Sequence, residues 1–538
     1  MRPHSFGSRF IAAALAGLLS CSLVSAAESI QAAAPASATN KTEHVMIRVQ
    51  TAATVGEPLS GRLLIFLKPG TGAKEVDSDI FNISATQIAA KDVSDVAPGA
   101  SVLLDADDIA FPAGFSHLPA GKYQAQAVLD VDRSYNYGGR NKKHWISDVV
   151  TINWTPGGAF PAMTLVRHPE EDPRRIAERK AILAKVKPDV VREEHFTSPL
   201  LSRFWGSPKQ LNAWVILPPG YDNKVNKSYP TVYWTHGFGG NFDYSLNSGL
   251  KIRERMDSGQ IPPMIWVMLD ESIPQGTHEF ADSVNNGPWG AALTTEFIPY
   301  LEQHYRMDAV ANSRFLNGHS SGGWATLQLQ VNYPKTFGGT WSTSPDPSDF
   351  HDFTGPNLYA PNANIYHRAD GSDYPIMRMD GKVIATLSQF SRMEEVIGPY
   401  GGQIASFDWV FSPKGEDGKP LPMFNRQTGV VDPKVVAYWH DHYDLANIVQ
   451  KNWATSGADL QGRIHLYVGT ADTFYLDGAA HRMQAVLDGL NAGAQFTFLP
   501  GRSHFDVYAV GDDKSGLTNQ IAKEMYAVAR PGVSWGKP

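Results

Sequence analysis

Arg314-Phe315-Leu316-Asn317-Gly318-His319-Ser320-Ser321-Gly322-Gly323-Trp324 is the stretch that decides the fold. Its first residues read as a strand and its centre matches Gly-x-Ser-x-Gly. The residues after it read as a helix with Trp324, Leu327 and Val331 on one face, ending before Pro334. Strand, tight turn and helix in that order form a nucleophile elbow. The turn is so tight that side chains at 318 and 322 would strike neighbouring backbone, and Ser320 must adopt a strained conformation. The pentapeptide alone also fits an ordinary Gly/Ser loop; the strand and helix around it favour the elbow.

The same alternation continues on both sides. Leu211–Leu217, Tyr229–Trp234, Pro263–Leu269, Arg463–Val468 and Ala494–Leu499 read as strands, and Thr294–Tyr305 reads as a helix with Phe297, Leu301 and Tyr305 on one face. Such alternation predicts an α/β domain with a mostly parallel central sheet, whose ligands bind beyond the C-terminal ends of the strands.

A serine hydroxyl is a poor nucleophile at neutral pH and needs a base, which in turn needs an orienting acid. In this arrangement the chain order is Ser, then acid, then His. His504, in Pro500-Gly501-Arg502-Ser503-His504, follows one late strand, and Asp472, in Gly469-Thr470-Ala471-Asp472, follows another. Asp477 is the alternative acid. The oxyanion formed on attack needs two backbone donors. Ser321 supplies one candidate amide. The loop Thr235-His236-Gly237-Phe238-Gly239-Gly240 supplies the other, Phe238 being favoured over Gly237 and His236 bracing the loop.

Before the α/β part, residues 43–157 carry strand-like segments at His44–Val49, Arg62–Leu67, Tyr123–Leu129 and Val149–Trp154, separated by Pro69-Gly70, Pro98-Gly99 and Ala120-Gly121. Strands without long helices suggest a small, all-β, sandwich-like accessory domain. Tyr123–Leu129 alternates as a half-buried strand does. Residues 158–189 read as a connector with a surface helix opening at Pro173. Residues 190–538 read as the α/β part. The long interval from Ser320 to Asp472 points to an insertion at about 350–455, rich in aromatics such as Tyr359, Tyr366, Phe390, Tyr400, Trp409 and Phe411, that lids or walls the site. His440 and His442 have a spacing seen in metal sites, but no partner motif accompanies them; Asp441 or Asp444 instead suits a helix cap.

The 538 residues are 42% hydrophobic with a net charge of −7, so a large core is affordable and no basic face invites nucleic acid. Arg2 and Arg9 precede an apolar run from Phe10 to about Val24. Val24-Ser25-Ala26 offers a cleavage site, so residues 1–26 read as a signal segment, followed by a flexible linker at 27–42. The only cysteine, Cys21, lies inside that segment, leaving an exported chain, periplasmic or secreted, free of thiols. Lipidation at Cys21 is the rival reading, for which Leu18-Leu19-Ser20-Cys21 is a poor fit. The apolar run is too short to span a bilayer comfortably, and no other stretch reads as a transmembrane helix.

Together these residues resemble the esterase D-like family of the α/β-hydrolase superfamily. That family includes feruloyl and acetyl xylan esterases, S-formylglutathione hydrolases, enterobactin esterases and mycolyltransferases. The likeness is carried by Ala213–Tyr221, His236–Gly240, Phe297–Glu302, Gly318–Gly323 and Gly469–Asp472. It implies an α/β-hydrolase fold and serine-triad acyl chemistry on a small-molecule or carbohydrate-linked ester, without metal or organic cofactor. Hydrolysis is the leading expectation. Acyl transfer, a serine peptidase, and a non-catalytic carbohydrate-binding protein are the alternatives.

Overall fold

The computed structural model describes residues 43–535 apart from 137–138, 172, 222–225 and 399. The expected signal segment, the linker and Cys21 lie outside the described residues. Glu43–Pro538 forms one compact unit.

An eight-stranded sheet runs in the order Val191–Thr197, Gln210–Ile216, Ile265–Leu269, Thr231–Thr235, Arg314–His319, Gly339–Thr343, Ile464–Gly469, Gln495–Leu499. Gln210–Ile216 is antiparallel to both of its neighbours, and from Ile265–Leu269 onward every pairing is parallel. Parallel strands need helical crossovers, and those helices cover both faces. The strands are accordingly apolar on both sides. Tyr233, Val267 and Leu316 pack on one face with Leu293, Phe297 and Leu301. Val232, Trp266 and Phe315 pack on the other with Leu246 and Leu250 of the Phe242–Asp257 helix and Ile521 and Met525 of the Gly516–Ala529 helix. This is the α/β domain with a mostly parallel central sheet that the strand–helix alternation predicts, in the α/β-hydrolase arrangement that the family resemblance implies.

The N-terminal residues build a nine-stranded, mostly antiparallel sheet that curls on itself. Ile47, Val49 and Leu104 at one end share a core with Leu63, Ile65 and Leu67 at the other, although the strands carrying them are not paired. Two features differ from the sequence reading. Residues 158–189 are not all connector, because Met163–Arg167 is a strand of this sheet, parallel to Met46–Thr51. The helix Pro173–Leu183 follows it and buries no residue. Gly121–Asp130, expected to be half-buried, is buried continuously from Tyr123 on. Its polar face is covered by the loop after Pro69. Gln124 accepts the Ala73 amide, Gln126 accepts the Val76 amide at 3.0 Å, and Gln126 donates to Ser147 O at 2.8 Å. These carboxamides are tolerated inside because they satisfy backbone groups of the covering loop and of the sheet.

Between Gly339–Thr343 and Ile464–Gly469 the chain inserts a hairpin and the helices Leu387–Ile397, Gln403–Phe411 and Pro433–His442. The next helix, Leu445–Leu460, packs on the helix Ser321–Asn332 and is the crossover of the sheet itself. The insertion therefore ends near residue 444, short of the 455 read from composition. Phe350, Phe411 and Trp439 of this region share a core with Trp324, Leu327 and Val331, and with Leu64, Phe66 and Ile88 of the N-terminal sheet.

Candidate active site

Ser320 sits between the Arg314–His319 strand and the Ser321–Asn332 helix with φ 60° and ψ −127°. For a residue with a Cβ this is strained backbone, held by its surroundings. The flanking glycines are required by close approach. A Cβ on Gly318 would lie 2.1 Å from Gly322 O, and one on Gly322 would lie 2.3 Å from His236 O.

Asp472 follows the Ile464–Gly469 strand and His504 follows the Gln495–Leu499 strand, so both arrive at the edge where Ser320 lies. His504 Nδ1 is 2.9 Å from Asp472 Oδ2. The carboxyl is fully buried. Burial would raise its pKa, but the His504 imidazole, through its charge and its hydrogen bond, holds it below the ordinary carboxylate range. Asp472 Oδ1 meanwhile accepts the Phe474 amide at 2.9 Å. Asp477 does not meet the imidazole; it pairs with Arg378 Nη2 at 3.2 Å.

On the other side of Ser320, the Gly237 backbone comes so close that a Cβ there would be 2.9 Å from Ser320 Cβ. Phe238 lines the same cavity as Ser320. Ser321 opens its helix, where amides have no intrahelical carbonyl to bond. His236 is buried; its Nδ1 lies 2.8 Å from Gly237 O and its Nε2 3.1 Å from Asp270 Oδ1. It therefore ties the loop to the neighbouring strand end, as a brace does.

Ser320 and His504 face one cavity of about 550 Å³. The insertion contributes Phe353, Ile376, Leu387, Phe390, Ile404 and Phe407 to its wall. Three further residues, Ile80, Phe81 and Asn136, come from the N-terminal sheet region. No sequence signal marked them. Asp346 is the other group that sequence reasoning missed, although an acid just beyond the Gly339–Thr343 strand lies where such folds gather function. Its Oδ2 accepts the Ser321 hydroxyl at 2.6 Å, and burial pushes its pKa up to about 6. His319, in the motif itself, is pushed down to about 3 by burial and by the adjacent His504, so it stays neutral.

Two groups among the described residues bring carboxylates and an imidazole together, Asp130 with Asp132 and His144, and Asp349 with His351 and Asp444. In the first, His144 Nδ1 accepts the Asn141 amide at 3.2 Å, so Nε2 carries hydrogen toward Asp130 and Asp132. In the second, Asp444 accepts from Phe350 N, Tyr359 Oη and Asn447 N and caps the Leu445–Leu460 helix. Their ligand atoms serve internal hydrogen bonds, and we assign neither a metal. His440 and His442 engage Tyr359 and Tyr438 instead of each other.

Sheet order, elbow and the cavity at the strand ends define an α/β-hydrolase. Residues 207–516 match the Esterase family model, described as "Putative esterase", and the chain belongs to this family. It is 30% identical over 145 residues to Esterase Rv1288 and to Esterase MT1326, each from a strain of Mycobacterium tuberculosis, covering 26% of this chain and 30% of each relative. The chain thus matches under a third of the length of these relatives. Among solved structures, a ferulic acid esterase aligns with 14% identity over 63% of this chain and 98% of its own, at a TM-score of 0.39. An S-formylglutathione hydrolase from Staphylococcus aureus aligns with 14% identity over 63% of this chain and 99% of its own, at a TM-score of 0.37. No helix among the described residues is long and apolar enough to cross a membrane.

Proposed function

We propose that the protein is an exported serine esterase that hydrolyses a carboxylic ester through an acyl-enzyme, with Ser320 as nucleophile, His504 as base and Asp472 as orienting acid. The observation that carries this reading is the strained Ser320 opening onto the same cavity as an imidazole whose Nδ1 is held by a buried carboxylate. The Asp472 contact leaves His504 Nε2 as the nitrogen that receives a proton.

Ser320 Oγ attacks the ester carbonyl carbon and its proton passes to His504 Nε2. The carbonyl oxygen takes the negative charge, which the amides of Phe238 and Ser321 stabilise; losing one such donor typically costs on the order of 3 kcal/mol in the barrier. The carbon–oxygen bond to the alcohol breaks as His504 returns the proton to the leaving oxygen. Water, deprotonated by His504, then attacks the acyl carbon, releases the acid and restores Ser320. Export rests on the basic and apolar residues between Arg2 and Ala26, and Edman sequencing of the mature protein should begin at Ala27.

Ser320→Ala is expected to abolish hydrolysis of p-nitrophenyl acetate and labelling by a fluorophosphonate probe while leaving the thermal midpoint nearly unchanged. Full activity in that variant would remove the serine mechanism.

A further inference from the structure

The N-terminal sheet reaches into the catalytic cavity at one defined place. After Pro69 the chain leaves the sheet and runs to the short turn Ile80–Asn82, which is capped by Asp79 accepting the Phe81 amide at 2.9 Å. This excursion is tethered throughout. Gln124 and Gln126 hold the Ala73 and Val76 amides, as above. Arg140 bonds Gln126 Oε1 at 2.7 Å and also reaches the Val76 carbonyl. Asp77 is bonded by Tyr135 Oη, and Thr86 donates to Asp77 O at 2.9 Å. A segment fixed by this many polar contacts, most of them partly buried, presents its tip in one position.

That tip is Phe81, 47% exposed, whose ring meets Phe505 edge-on with centroids 6.0 Å apart. Phe505, 59% exposed, is the residue after His504, and its ring lies 5.5 Å from the imidazole. Phe474 closes the group, 4.9 Å from His504 and 5.9 Å from Phe505. Two large, open aromatic side chains, Phe505 against the imidazole and Phe81 against Phe505, form a ready face for a flat apolar group.

Which half of an ester meets that face follows from the chemistry of His504. To protonate the departing alcohol, the imidazole must lie within hydrogen-bond reach of the leaving oxygen. The alcohol half therefore lies on the His504 side, among Phe474, Phe505 and Phe81. The acyl half, whose oxygen must point to the amides of Phe238 and Ser321, lies away from it. We propose that Phe81 of the N-terminal sheet is a specificity residue for the alcohol half of the substrate and that this half carries an aromatic or comparably flat apolar ring. The inference rests on the serine-esterase reading of Ser320 and His504.

The test separates the two halves of the ester in wild type, Phe81→Ala and Phe81→Trp. With acetyl fixed, 1-naphthyl acetate is compared with ethyl acetate. With p-nitrophenol fixed, acetate, butyrate and octanoate are compared. Phe81→Ala is expected to lower kcat/KM for 1-naphthyl acetate about tenfold and leave ethyl acetate within about twofold, with Phe81→Trp retaining most of the naphthyl activity. The ratios along the acyl series should stay as in wild type. A changed acyl profile, an equal loss on both acetates, or no change at all would each overturn the assignment of Phe81 to the alcohol side. Fluorophosphonate labelling is expected to persist in Phe81→Ala, because Ser320 and His504 are intact. Labelling lost only in Ser320→Ala keeps the serine reading intact whichever way the Phe81 result falls, whereas wild type that hydrolyses none of these esters and takes no label removes the esterase reading itself.

Discussion

At the scale of single residues, the choice between two carboxylates is the clearest case. Asp472 and Asp477 both follow the same strand. One turns inward to meet His504, and the other stands at the start of the Asp477–Gly489 helix and meets Arg378. Asp472→Asn removes the charge that steadies an imidazolium and presents the wrong hydrogen-bonding face to Nδ1, so kcat is expected to fall by on the order of 10³ to 10⁴. Asp477→Asn should stay within about threefold of wild type. Equal losses in the two variants would contradict the geometry. Asp346 permits a pH prediction. It is faced by the Ser321 hydroxyl, by Gln403 from the insertion, and by the charges of His504 and Asp472, while Glu271 and Glu279 lie near enough to feel its charge. Its pKa is raised from 3.8 to about 6, so the fold favours the protonated carboxyl. The stability this permits is full below about pH 4 and is lost as the pH rises through about 6, a loss on the order of 3 kcal/mol. Asp346→Asn imitates the protonated form and keeps an acceptor for Ser321. Its melting temperature relative to wild type should therefore climb between pH 4.5 and pH 8; a gap that is the same at both pH values would refute the linkage.

At the scale of elements, the cavity wall depends on a helix that the N-terminal sheet holds at one end. Leu387 and Phe390 of Leu387–Ile397 line the cavity. The helix starts in a capping box at Thr386 and Gln389. Its last turn receives Arg62 from the sheet. Nη2 donates to Glu395 O at 2.9 Å and Val396 O at 3.0 Å, while Nη1 meets Asp92 at 2.9 Å. A guanidinium on carbonyls that have no helical partner answers both their hydrogen-bonding need and the helix dipole. Arg62→Ala should lower stability by about 2–3 kcal/mol in urea titration and raise KM while kcat holds. An unchanged denaturation midpoint would mean the helix end is solvated just as well. Elements also mark where sequence patterns stop being readable. Gly339–Thr343 carries one large apolar residue, Trp341, and is not among the strands read from the sequence, yet it is a fully buried strand. Two of its hydroxyls find partners inside, Ser342 on Gly323 O and Thr343 on Gly318 O.

At the scale of the whole molecule, the N-terminal sheet and the α/β part share one core. Leu64, Phe66, Ile88, Ala90 and Phe111 of the sheet pack in the same cluster as Met393, Val396 and Ile397 of the insertion and Trp324 of the elbow helix. Surfaces this apolar would not survive separation in water. Calorimetry of residues 43–538 should therefore give a single unfolding transition, and two resolved transitions would show the layers to be independent.

The sequence by itself determined what depends on local backbone and chain order. The glycines around Ser320, set between a strand-like and a helix-like segment, favour the elbow over an ordinary loop, and Asp472 and His504 each follow a strand in the order Ser, acid, His. These features were legible because each is a short segment whose conformation its own residues specify. Tertiary structure decided what depends on distant partners. Asp472 and Asp477 look alike until packing turns one of them toward His504. Phe81 lies in a stretch without periodicity, and it enters the cavity because Gln124, Gln126, Tyr135 and Arg140, remote in the chain, fix the loop that bears it. A hydrogen bond between residues far apart in sequence leaves no periodic trace in either segment, so only the folded chain reveals that the Phe81 ring meets Phe505, the neighbour of the imidazole.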